Sequence, residues 1–230
     1  MMDAMTEHTV LTDKLGVDID PELLSLALTH RSYAYEHGGV PHNERLEFLG
    51  DSILGQAVTV HLFREHPDLD EGSLAKRRAS VVSTVALAEV ARGIGLGAHI
   101  RLGRGEDQTG GRDKDSILAD TMEAILGAAF LSAGPEASTA LVLRLVAPLM
   151  ADPERYGAAM DPKTSLQELA ARAALAPPVY AVTSEGPDHH RVFTAAVTVG
   201  EVTRTGVGSS KKQAEMAGAL AVWHALSDRA

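Results

Sequence analysis

His42-Asn-Glu-Arg-Leu-Glu-Phe-Leu-Gly-Asp-Ser52 carries three acids, Glu44, Glu47 and Asp51, at spacings of three and four. At about 100° per residue, a helix brings such positions within about 60° of one another on one face. Continuing the stripe by further turns gives Gly55 and Val58, with Phe48 and Leu54 beside it and Leu46, Leu49 and Ile53 opposite. A helix that is apolar nearly all round belongs in an interior. The spacing predicts a helix from about Asn43 to Glu65, stopped before Pro67, with its acids near the protein's centre.

A second stretch repeats the pattern. Asp120 and Glu123 lie three apart in Ser116-Ile-Leu-Ala-Asp-Thr-Met-Glu-Ala-Ile-Leu-Gly-Ala-Ala-Phe-Leu131, and they are the only charged residues between Asp115 and Glu136. Buried carboxylates cost several kcal/mol unless they are neutralised, paired or bound to metal. If the two helices pack together, four or five carboxylates converge with no buried Lys or Arg evident in either run to balance them. Such a cluster needs a cation, and all-oxygen ligation selects a hard divalent ion, Mg²⁺ or Mn²⁺. The chemistry that suits it is hydrolysis or transfer at phosphorus.

Around these helices the first 150 residues read as all-α. Asp20-Pro21 caps a helix reaching Leu28, a third helix runs from Gly72/Ser73 to Gly93-Ile-Gly95, and a Gly- and charge-rich loop spans 100–115. Ala133-Gly-Pro135 separates two further helices, 116–132 and 136–150. Two Asp-Pro steps and a Gly mark residues 151–161 as a short linker. After it the period changes. Ser165-Leu-Gln-Glu168 looks like a capping box opening a short helix, Val179–Ser184, Arg191–Val199 and Glu201–Val207 alternate as strands, and Gly208-Ser-Ser210 caps a last helix. Residues 162–230 are thus α+β in the order α-β-β-β-α.

The 230 residues have a formal net charge of −10, no Cys and 4% aromatics. Without Cys there are no disulfides, thiolate zinc sites or iron–sulfur clusters. Residues 1–150 hold 13 Lys/Arg and 22 Asp/Glu, a net of −9, whereas residues 151–230 are close to balance with 8 and 9. No signal peptide or membrane span is evident, so a soluble, cytoplasmic protein without membrane partners is expected.

The decapeptide within His42–Ser52 resembles the signature of bacterial ribonuclease III, and Ile117-Leu-Ala-Asp-Thr-Met-Glu-Ala-Ile-Leu-Gly127 is similar to that family's second catalytic motif. Residues 163–226 resemble its double-stranded-RNA-binding domain at Ser165–Glu168, Gly186-Pro-Asp-His189 and Gly208–Glu215. The resemblance implies a multi-domain chain, an all-α endonuclease domain (1–150), a linker (151–161) and an α+β double-stranded-RNA-binding domain (162–230). It implies a homodimer that cuts both strands of duplex RNA with Mg²⁺, leaving 5′-phosphate and 3′-hydroxyl ends. Carried across, Glu47, Asp51, Asp120 and Glu123 become the catalytic and metal-binding set, with Glu44 a secondary candidate. Thr164, Gln167, Glu168, His189, Lys211 and Lys212 become the RNA contacts. Lys211 and Lys212 stand in the first turn of a helix, where the macrodipole disfavours cations and favours a bound phosphate. Lys76-Arg-Arg78 and the cations of the 101–115 loop are further candidates for following the RNA backbone.

Overall fold

The computed structural model describes residues 11–151, 153–187 and 191–228, and the chain divides into two compact units, Met1–Pro153 and Glu154–Ala230. His189 and its neighbours Asp188 and His190 lie outside the described residues.

The first unit is all-α. Its described helices are α1 (Pro21–Ala27), α2 (Arg31–Glu36), α3 (Glu44–Glu65), α4 (Glu71–Val81), α5 (Thr84–Gly93), α6 (Arg104–Gln108) and α7 (Asp115–Ala151), after a helical stretch at 11–15. Asp20 caps α1 as expected, its Oδ1 accepting from the N–H groups of Glu22 (2.9 Å) and Leu23 (3.1 Å). The long α7 breaks at Gly134, whose φ of 82° and ψ of 179° are open to glycine but strained for other residues. That break stands where Ala133-Gly-Pro135 placed a boundary. α3 and α7 pack along one another, with Leu46, Ile53, Leu54, Leu118, Met122, Ile125 and Leu126 buried. α7 is long and apolar enough to cross a membrane, but it is mostly buried as the core helix of this unit.

Three expectations for this unit are corrected. The third helix is two, because Ser83 adopts an extended conformation and its Oγ accepts from the Ala86 N–H (3.3 Å), starting α5 afresh. The 100–115 loop contains α6 and a 3₁₀ turn at Gly111–Asp113. α3 is also not enclosed all round, since Phe48 is 79% and Phe63 71% exposed, with Val60 beside them at 40%. Its acids therefore lie at the edge of the core.

The second unit follows the expected order, with α8 (Pro153–Met160) and α9 (Pro162–Arg172), then β1 (Val179–Glu185), β2 (Val192–Val199), β3 (Val202–Gly208) and α10 (Lys211–Ser227). The sheet is antiparallel in the order β1-β2-β3, with Val182 opposite Ala195 and Ala196 opposite Thr205. Leu166, Ala170, Ala195, Val197, Val199, Ala214, Val222 and Trp223 form its core, with Phe193 packed at the margin. Gly206 and Gly218 lie where α10 crosses the sheet, and a Cβ at Gly218 would press on Val197. Close packing there explains a glycine that costs helix propensity.

The linker and the capping box are both corrected by one cause. Residues 153–160 are helical, and Ala158 is buried in the second unit's core. Pro162 stands at the first helical position of α9 and Asp161 is its cap, accepting from the Thr164 N–H (3.3 Å). Asp-Pro here opens a helix rather than a turn, so Ser165 and Glu168 lie inside α9 instead of at its start.

Candidate active site

Asn43 begins α3, and its carbonyl accepts from the Leu46 (2.8 Å) and Glu47 (3.0 Å) N–H groups. These bonds close the first turn of α3, whose Leu46 and Gly50 meet α7 at Gly127 and Glu123. The helices touch backbone to backbone, since a Cβ on Gly50 would collide with the Glu123 carbonyl and one on Gly127 with the Leu46 carbonyl. That approach brings one carboxylate oxygen each of Glu47, Asp120 and Glu123 within 4.8 Å of one another, all three half-buried.

The electrostatics are those of an anion cluster only partly compensated by nearby cations. Burial, then the charges of Asp51, Asp120 and Glu47, push the Glu123 carboxyl up to about 8. Glu47 is raised by burial and then by Asp120, and Asp120 is raised by burial, while Arg31 pulls both the other way. Arg31 itself lies 3.6 Å from Glu44, a partly exposed acid that His42 also approaches at 3.9 Å. Three convergent oxygen donors with raised proton affinity suit a hard divalent cation, which would replace the protons.

Beside the cluster a cleft of about 510 Å³ is lined by Glu47 and Asp120 together with His30, Arg31, Glu106 and Lys114. The sequence reading missed these last four as neighbours of the acids. They arrive on short elements placed by long-range hydrogen bonds, such as His30 N–H to the Arg101 carbonyl (3.1 Å) and Arg101 N–H to that of Leu28 (2.8 Å). His30 is a helix cap, its Nδ1 within 2.8 Å of Ser32 Oγ.

Asp51 stands apart from the convergent three. It is exposed and lines a second depression with Ser52, Gly55, Gln56 and Arg78, yet its charge still acts on Glu123. Around the 101–115 loop the cations mostly serve the chain itself. Arg101 donates to the Ser25 carbonyl and to Ser25 Oγ (2.7 Å). Arg112 donates to the carbonyls of Gly97 (3.1 Å) and Ile100 (3.1 Å), and Lys114 is paired with Glu106.

In the second unit Thr164, Gln167 and Glu168 share one exposed face of α9, opposite buried Leu166 and Ala170. Lys211 and Lys212 are exposed in the first turn of α10. Ser210 caps that helix through the Gln213 N–H (3.2 Å), and Gln213 Oε1 accepts in return from the Ser209 N–H (3.1 Å) and Oγ (2.6 Å).

Residues 20–149 match the ribonuclease-III-like family model and residues 162–226 the double-stranded RNA binding motif. Ribonuclease 3 of Leifsonia xyli is 69% identical over 229 residues, covering 99% of this chain and 97% of that protein. The chain belongs to the ribonuclease III family. Ribonuclease 3 of Streptomyces coelicolor is 57% identical over 222 residues, 96% of this chain and 80% of that protein. The nuclease domain of ribonuclease III from Campylobacter jejuni superposes with a TM-score of 0.57 at 39% identity, over 61% of this chain and 93% of that one. A second structure of that domain, described for flexibility in its dimer-forming region, gives 0.57 at 38% identity over 60% and 95%. Like its relatives, this ribonuclease III is an endoribonuclease.

A raised carboxyl makes metal-free stability depend on pH with a definite sign. The folded protein holds the Glu123 proton up to about 8, whereas the unfolded chain releases it near 4.5. Below 4.5 both states are protonated and the folded state has its full advantage, which is lost as pH rises towards 8. Melting temperature in EDTA should therefore fall between pH 5 and 8, and saturating MgCl₂ should flatten that fall. Calorimetry across this range checks it, and a metal-free Tm that climbs steadily with pH would contradict the clustered geometry.

Proposed function

We propose that this chain hydrolyses phosphodiester bonds on both strands of double-stranded RNA, leaving 5′-phosphate and 3′-hydroxyl ends, in the processing of ribosomal, messenger and small RNAs in the cytoplasm. The observation that carries this reading is the convergence of Glu47, Asp120 and Glu123 beside an open cleft, in a chain whose second unit matches an RNA-binding motif. These three carboxylates would hold Mg²⁺, for which Mn²⁺ can substitute. When bound, the ion supplies a polarised phosphoryl group, a more acidic attacking water and a stabilised leaving oxygen. Glu123 must give up its carboxyl proton before it can act as a ligand, and burial between α3 and α7 holds it on the site. Asp51, exposed on the neighbouring depression with its charge acting on Glu123, would help orient water at the site. Glu44, tied to Arg31, stands at the rim as a secondary candidate.

The active form in this proposal is a homodimer joined through the nuclease unit (1–150). Phe48, Val60 and Phe63 give α3 an exposed apolar face, and a two-fold pair of sites suits two antiparallel strands. The second unit, with residues 162–230, adds duplex affinity. A-form RNA offers shape, phosphates and 2′-hydroxyls rather than readable major-groove edges. Thr164, Gln167 and Glu168 would meet one minor groove, His189 another, and Lys211 and Lys212 the phosphates between.

The test is a long RNA duplex incubated with the full chain in Mg²⁺, in EDTA and in Ca²⁺, with the fragment ends typed by phosphatase and ligase and the protein's mass measured by sedimentation. Cuts on both strands in Mg²⁺ alone, 5′-phosphate ends and a dimer are expected. Binding in all three conditions with cutting in none would make the chain an RNA-binding regulator and sink the nuclease reading.

A further inference from the structure

Glu215 is the only acid in α10, and it stands four residues after Lys211 on a helix whose start is assigned above to RNA phosphates. An anion beside a polyanion-binding edge weakens binding unless it has work of its own. Its side chain is only 12% exposed, and its two oxygens go to two different lysines. Oε2 accepts from Lys163 Nζ at 2.8 Å, and Oε1 lies 3.8 Å from Lys211 Nζ. Lys163 belongs to the first turn of α9, so the pair ties the openings of the two helices together. Lys163 Nζ also lies 4.7 Å from the centroid of the Tyr180 ring on β1, which gives the ammonium a third fixed neighbour.

We infer that Glu215 is a positioning residue for duplex RNA, its carboxylate fixing Lys163 and Lys211 so that the starts of α9 and α10 present their groups in one register. This rests on the proposed role of the second unit. A lysine free in solvent loses rotamer freedom when it meets a phosphate. Held at its ammonium by Glu215, it has lost much of that freedom before RNA arrives, while the ammonium still has donors to offer, since each carries three. Lys163 is 39% and Lys211 69% exposed, so both remain open to a second anion. The mutual effects on charge agree in direction, with the Lys163 hydrogen bond lowering Glu215 and Glu215 raising Lys163.

The inference and simple charge counting predict opposite signs. Removing a negative charge near RNA should tighten binding if charge alone mattered, whereas loss of a positioning group should loosen it. With the full chain and a duplex in EDTA, Glu215→Gln is expected to weaken binding about fivefold, the upper worth of one partly exposed charged pair. The slope of log K against log salt should shrink by about 0.9, one phosphate contact. In Mg²⁺ the KM for duplex should rise with kcat unchanged, and in a Lys163→Gln background Glu215→Gln should lose most of its effect. Equal or tighter binding by Glu215→Gln, or an undiminished effect without Lys163, overturns the inference. Lys211→Ala with Lys212→Ala serves as the companion variant. If it leaves affinity intact, the RNA-binding role of this edge fails; if it weakens binding while Glu215→Gln does not, only the role of Glu215 fails.

Discussion

Glu123→Gln is expected to lower duplex cleavage by more than about 100-fold, beyond the loss typical of disturbing a group behind a metal ligand. Duplex affinity in EDTA should be unchanged. The side chain keeps its size and loses only the ability to ionise. Because burial and three neighbouring acids hold the native carboxyl protonated up to about 8, Gln resembles the form present at neutral pH without metal. The variant should thus melt near the wild-type temperature at pH 6.5 in EDTA and above it at pH 9. What disappears is the rise in Tm on adding MgCl₂. Single-turnover cleavage and calorimetry decide the matter together. Cutting at the wild-type rate, or an intact metal-induced rise, would remove Glu123 from the site. Asp51→Asn should also slow cleavage, but by a different route, since Asp51 is exposed and outside the convergent three. Deleting its charge should let Glu123 ionise at lower pH and move the metal-free stability curve with it.

The three convergent acids were legible because their surroundings were apolar at helical spacing. Asp120 and Glu123 have no charged neighbours from Ser116 to Pro135, and such isolation in a long apolar run has few explanations besides a bound cation. The depth of α3 was misread for a related reason. Phe48 and Phe63 carry the same pattern whether they face a core or another surface, and the exposure found here separates the two. His30, Arg31 and Lys114 could not be placed by periodicity at all. Their position follows from the pairing of Thr29 with Arg101, more than 70 residues away. The Asp-Pro steps were ambiguous locally, since the same dipeptide starts turns and helices. Ala158, buried in the second core, shows that packing settled the choice.

The acidity of the chain divides along the same lines. Three of the acids in residues 1–150, Glu47, Asp120 and Glu123, converge where a cation would offset part of the charge, with Glu44 on the cleft beside them and Asp51 on a separate depression. The second unit is nearly neutral, with 6 Lys/Arg and 5 Asp/Glu from Lys163 to Leu226. Affinity for RNA must then come from where a few lysines point, and the Lys163–Glu215–Lys211 arrangement fixes that direction. Net charge alone is a poor guide to a partner that contacts only one face.

Gly50→Ala separates helix propensity from helix approach, because the two predict opposite results. In an exposed helix, Gly to Ala stabilises by up to about 1 kcal/mol. In α3 the added methyl would meet the carbonyl of Glu123, a backbone atom of the helix that carries the site. Backbone cannot swing aside as a side chain can, so α3 and α7 must move apart. Separation also opens the contact at Gly127, which faces Leu46 in the same way. Overpacking of this kind costs about 3 kcal/mol, or about 10 °C in Tm for a unit of this size. Activity should fall further than the folded fraction does, since parting the helices also parts Glu47 from Asp120 and Glu123. Gly93→Ala is the matched control, because its methyl would meet nothing within 4 Å at the end of α5. It should be neutral or mildly stabilising. A Gly50→Ala protein as stable as Gly93→Ala, with full Mg²⁺-dependent cleavage, would mean that the close approach of α3 and α7 is not what gathers the carboxylates.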